Sequence, residues 1–81
     1  MTFRQDLIHT AARSYVRDGG RQSVSAFLDD FTQRGWFPAM NAVRISAGMT
    51  WDEADNALDA LSWTHLVKAV ARAVNEERGR F

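Results

Sequence analysis

Apolar residues recur along this chain at three- and four-residue intervals, and the stripes they form are cut by glycines and short polar breaks. Phe3, Leu7, Ile8, Ala11 and Tyr15 share one side of a helix at 3.6 residues per turn. Thr2 stands where an N-cap belongs, and Gln5 three residues later completes a capping box. Gly19-Gly20 ends this helix, because glycine accepts the left-handed conformation used beyond a helix end. Val24, Phe27, Leu28 and Phe31 form a second stripe, opened by Ser23 and stopped by Gly35. Trp36-Phe37-Pro38 reads as a turn, since proline drives the residue before it away from helical backbone.

A short third helix is expected from Ala39 to Ala47, with Met40, Val43 and Ala47 on one side and Gly48 closing it. Thr50 and Glu53 make the clearest capping box of the chain. They open a fourth helix on which Trp51, Ala54, Ala57, Leu58 and Leu61 form one apolar arc. Ser62-Trp63-Thr64 breaks the pattern. A fifth helix then runs from His65 to about Arg78, with Leu66, Val70, Ala73 and Val74 as its apolar side and Gly79 as its end.

No segment sustains a period of two, so no strand is expected. The breaks are short, which makes consecutive helices neighbours. The pattern therefore predicts an all-α fold, a compact single-domain bundle of four or five short helices. With 81 residues, the chain has enough surface to bury for one core and no more.

Charge changes the picture more than composition does. The ten basic and ten acidic residues cancel, but they are not evenly mixed. Between Thr50 and Asp59 the chain carries Asp52, Glu53, Asp55 and Asp59 with no base among them. On a helix, Asp52, Asp55 and Asp59 fall within roughly a 60° sector beside Trp51. Asp52 and Glu53 have a local explanation, since carboxylates in a first turn complement the helix dipole. Asp55 and Asp59 have none.

An acidic stripe of this kind either keeps a surface solvated or docks on a basic surface of another macromolecule. The docking reading takes Trp51, Trp36 and Phe37 as apolar anchors, because exposed aromatics dominate interface energetics. Trp36, Trp51 and Trp63 all fall at helix starts or breaks, where they also serve to close the ends of a small core. The expected function is thus a small protein-binding module, an inhibitor, adaptor or regulator of a larger protein, with a homodimer as a further use of the same surface.

The basic residues lie toward the two ends. Arg13, Arg17 and Arg21 recur every four residues, with Arg4 placed on roughly the same side, and Lys68 and Arg72 sit four apart on the last helix. Arg72 is also spaced to pair with Glu76. The run Gly48-Met49-Thr50-Trp51-Asp52-Glu53-Ala54, followed by Leu58 and then Ser62-Trp63-Thr64-His65-Leu66-Val67, resembles the helix-turn-helix of phage-repressor-like regulators over about a quarter of the chain. That resemblance implies DNA binding, with His65, Lys68 and Arg72 facing the groove and phosphates, and Arg13, Arg17 and Arg21 adding charge. Asp55 departs from the family, which has a small buried residue there. The stretch from Met49 to Leu61 is also similar to a UBA-type three-helix module, in its Gly-Met turn and paired alanines. Duplex binding is dominated by phosphate neutralisation, so a neutral chain with an acidic helix beside the recognition helix makes DNA the alternative and a protein with a basic surface the expected partner.

The remaining chemistry narrows the field. With no cysteine, disulfides and thiolate metal sites are excluded. His9 and His65 lie far apart, and no nucleophile–base spacing or phosphate loop is present. No enzyme, metal or cofactor is expected. Neither a signal-peptide apolar run nor a membrane span of about 20 apolar residues occurs, which predicts a cytoplasmic protein with no membrane partner. The arginine- and alanine-rich usage points to a bacterial, phage or plasmid source.

Overall fold

A computed structural model describes residues 3–59 and 61–79, and these form five α-helices with no strand among them. They are α1 (Phe3–Arg17), α2 (Val24–Arg34), α3 (Trp36–Ala47), α4 (Trp51–Leu58) and α5 (Trp63–Arg78). The all-α expectation holds. Thr2, the N-cap expected for α1, lies outside the described residues.

The caps expected at Ser23 and at the Thr50–Glu53 box form, and Ser62, expected only as part of a break, caps α5 as well. Ser23 accepts from the Ala26 N–H, Ser62 from the His65 N–H, and Thr50 and Glu53 form a complete reciprocal capping box. Gly48 turns left-handed at φ 70° to close α3, a conformation that costs an L-residue roughly 1–2 kcal/mol.

Several boundaries differ from expectation. Trp36-Phe37-Pro38 is not a turn but the first turn of α3. A helix's first N–H groups have no intrahelical partner, so proline's missing donor costs nothing there. Gly35 serves both helices at once: its N–H bonds to Phe31 O at 2.7 Å, and its carbonyl accepts from Ala39 at 3.1 Å. A side chain at this position would meet the Phe31 ring 2.9 Å away. Similarly, of the expected Ser62-Trp63-Thr64 break only Ser62 is outside a helix, and Trp63 and Thr64 already belong to α5. The fourth helix stops at Leu58, so Asp59 is its C-cap and Leu61 lies beyond it. Ala47, expected on the apolar side of α3, is exposed in its last turn.

α1 is the hub of the bundle, and every other helix packs against it. Its two ends serve two separate buried clusters, where the chain length suggested a single core. Ala11, Ala12 and Tyr15 join Phe27 and Leu28 of α2 and Leu66, Val70, Ala73 and Val74 of α5. Phe3 and Leu7 join Met40 and Val43 of α3 and Ala54 of α4. Trp36 packs on both clusters and forms the seam between them. α4 and α5, although consecutive, do not pack on each other. Among the described residues, no helix is long and apolar enough to cross a membrane.

Candidate functional site

α3 is apolar on more than one face. At about 100° per residue, Met40 and Val43 point inward, while Phe37, Pro38 and Ile45 gather on the outer side and are all exposed. Phe37 is 67% exposed and Ile45 61% exposed. A helix that is apolar all round is normally buried all round. Here one face is left largely open to solvent.

α4 meets this face through Trp51. Its indole stacks on Phe37 with centroids 4.8 Å apart and planes 19° from parallel. The Arg44 guanidinium lies 4.6 Å from the Trp51 ring centroid. Arg44 also donates to the Met49 carbonyl at 2.8 Å and to Asn41 Oδ1 at 2.7 Å, which ties α3 to the segment leading into α4. Its buried Nε has no hydrogen-bond partner among the described residues, so the aromatic face is what offsets that loss of water. Trp51 is thus held from both sides and stays half-buried.

The acidic stripe emerges from the same helix. Asp52, Asp55 and Asp59 are all exposed, and among the described residues none forms an ion pair. Asp55 stands one turn beyond Trp51, so the acidic row begins where the aromatic pair ends. Glu53 differs: the Thr50 N–H, and after it the Thr50 hydroxyl, hold its carboxyl below the ordinary glutamate value.

The structure therefore brings Asp52, Asp55, Asp59, Trp51 and Phe37 to one side of the molecule. Trp36 goes elsewhere, wedged between the two cores and edge-on to Phe31 at 6.2 Å. Arg44 and Ile45 belong to the face and were missed by the sequence reading. For Ile45 the signal was present, because it follows Phe37 by eight residues and shares its side of α3.

The cations are distributed differently from the expectation. His65, Lys68 and Arg72 are exposed on the outer side of α5, and Arg72 makes no ion pair with Glu76. Arg4 does not share a side with Arg13. Nine residues at about 100° each put the two on opposite sides of α1. The Arg4 guanidinium instead donates twice to the Ala57 carbonyl, at 3.2 and 2.6 Å, and so holds the C-terminal end of α4. Arg13 and Arg17 border a separate recess with Val16 and Glu77, and Arg21 lies past the end of α1, in the loop to α2. His9 Nδ1 stands 4.0 Å from the buried Glu77 carboxylate. No three potential ligand side chains cluster at metal-binding distance among the described residues.

No family model, curated protein or solved structure matches this chain, and its geometry alone carries the functional reading.

Proposed function

We propose that this chain is a protein-binding module, and that the face made by the outer side of α3 and by α4 is its docking surface. The observation that carries this reading is the exposed pair Phe37 and Ile45, set beside the stacked Trp51 and bordered by the unpaired Asp52, Asp55 and Asp59. Apolar anchors with a charged rim are the anatomy of a protein interface. The rim selects a partner with a basic surface and speeds its approach. Such a module acts by occupying its partner, as an inhibitor, adaptor or regulator.

The test is capture of partners by the tagged chain, with nuclease treatment throughout. The expected result is one or more basic proteins retained by the wild type and lost with Phe37→Ala or with Asp55→Lys/Asp59→Lys, each loss amounting to about tenfold or more in affinity. Helical circular dichroism reports that the variants remain folded. Undiminished capture by both variants would remove this face from consideration.

The nucleic-acid reading keeps one observation in its favour, the exposed face of His65, Lys68 and Arg72. The separation of α4 from α5 argues against a helix-turn-helix unit, whose two helices are packed as one piece. A gel shift at low salt, lost steeply as salt rises, is the result this reading requires.

A further inference from the structure

The cationic side of α5 is not flat. Between α1 and α5 runs a groove of about 380 Å³ with Ile8, Leu61 and Ala69 along its floor, and with His65, Lys68 and Arg72 beside them. Arg4 closes the end nearest α4. The three floor residues are half-buried, whereas the three α5 side chains are exposed. Among the described residues no carboxylate lines the groove and no ion pair neutralises Lys68 or Arg72.

A phosphate backbone would use those cations but has no use for an apolar floor. An occupant that satisfies both must carry apolar side chains next to a row of carboxylates.

The chain itself carries that combination. His65, Lys68 and Arg72 are spaced i, i+3, i+7 on α5, and Asp52, Asp55 and Asp59 are spaced i, i+3, i+7 along α4 and its C-cap. At 1.5 Å per residue each row is about 10.5 Å long, so Lys68 and Arg72 repeat the spacing of Asp55 and Asp59, and the His65 imidazole falls in step with Asp52. Phe37 and Trp51 stand beside the acidic row, as the apolar floor requires.

The rows cannot meet within one molecule. α4 turns its Ala57 side toward Arg4, which leaves the acidic row roughly opposite, and α4 and α5 do not pack on each other.

We infer that the α1/α5 groove receives the acidic, aromatic face of a second copy of this chain. The inference rests on reading that face as a protein-docking surface, and it makes one basic partner of the face the chain's own groove. A net charge of zero removes the general repulsion that would oppose such contact. Because donor face and groove are different patches, the contact is head-to-tail, and it closes into a ring or extends as a chain.

Sedimentation of the full chain over about 10 μM to 1 mM tests this, in roughly 50 mM and 500 mM salt, where screening differs severalfold. The expected weight-average mass rises above 9.2 kDa with concentration at low salt and returns to it at high salt. Lys68→Glu/Arg72→Glu and Asp55→Lys/Asp59→Lys each weaken association by about tenfold or more. Mixing the two variants restores it, since each groove then faces a row of opposite sign.

A wild type that stays monomeric throughout overturns the inference, as does association indifferent to both charge swaps. If the monomeric chain still captures a basic protein through Asp55 and Asp59, the docking face stands and only the second copy falls. Binding of an unrelated duplex by a monomeric wild type, lost with Lys68→Glu/Arg72→Glu, would hand the groove to nucleic acid.

Discussion

The two cores on either side of Trp36 are unequal. The one formed by the second half of α1 with α2 and α5 has nine buried residues among those described, including Leu28 and Val70 with no appreciable exposure. The one formed by the start of α1 with α3 and α4 has five. α4 is only eight residues long and contributes a single fully buried side chain, Ala54. A helix that short is marginal by itself. It is held by other means: the capping box at its start, the Arg4 guanidinium at its end, and the Arg44 tie before it. The exposed Phe37 and Ile45 and the acidic Asp52, Asp55 and Asp59, which make up the proposed docking face, all sit on this thinner half. Residues that would have thickened the smaller core, Phe37 and Ile45, point outward instead. The half that gives up burial is the half that offers a surface.

The most severe way to break this contrast is a cavity in each core. Leu28→Ala and Leu7→Ala each remove a side chain that is essentially unexposed, so each is expected to lower the unfolding free energy by about 2–5 kcal/mol in urea titration. Their patterns should differ. Leu28→Ala is expected to speed amide hydrogen exchange across α1, α2 and α5. Leu7→Ala is expected to release α3 and α4 first, by opening short of full unfolding. The same acceleration everywhere in both variants would make the two cores one cooperative unit.

A smaller effect is expected at the joint between the halves. Arg4→Met keeps an apolar stem but removes both hydrogen bonds to the Ala57 carbonyl. Bonds from a charged donor are worth about 1.5–3 kcal/mol, and the loss should show in urea unfolding and in faster exchange at the end of α4. Arg4→Lys restores the charge without the forked donor pair, so partial rescue is the outcome that assigns the effect to geometry. Unchanged exchange in α4 with Arg4→Met would leave the short helix depending on its caps alone.

The helices were legible in the sequence because their stops are chemically explicit. Ser23, Thr50 and Ser62 cap as their positions require, and Gly48 turns left-handed where the stripe ends. The two misread helix starts, at Trp36 and Trp63, have related causes. Trp36, Trp51 and Trp63 are each the first residue of a helix, and a bulky aromatic before proline or threonine looks locally like an interruption. Trp36 packs on both buried clusters, whereas Trp63 is exposed and owes its place in α5 to the Ser62 cap.

The acidic row was legible too, since helical spacing fixes Asp52, Asp55 and Asp59 to one side wherever the helix goes. What no local pattern carried was the partner of each exposed group. That Arg4 reaches across 53 positions to α4, or that α3 shows an apolar face to solvent, depends on how α1 is placed among the others.

The finest test of the contrast is a proton. In the smaller half, α4 relies on the Thr50–Glu53 capping box, and Glu53 is held below the ordinary glutamate value chiefly by the Thr50 N–H. A carboxyl whose folded value is depressed stabilises the fold at pH above its unfolded value, and that contribution fades as pH falls through the folded value. Acidification from about pH 7 to about pH 3 should therefore loosen α4. Glu53→Gln keeps an acceptor for the Thr50 N–H but cannot titrate. The wild type should be the more stable at about pH 7, and its advantage should shrink as the pH falls toward about 3. Thermal unfolding of both proteins at the two pH values measures this, with the other carboxylates cancelling in the comparison. A wild-type advantage that persists unchanged at low pH would mean that the Glu53 charge adds nothing to the box. The short helix would then rest on Thr50 and Arg4.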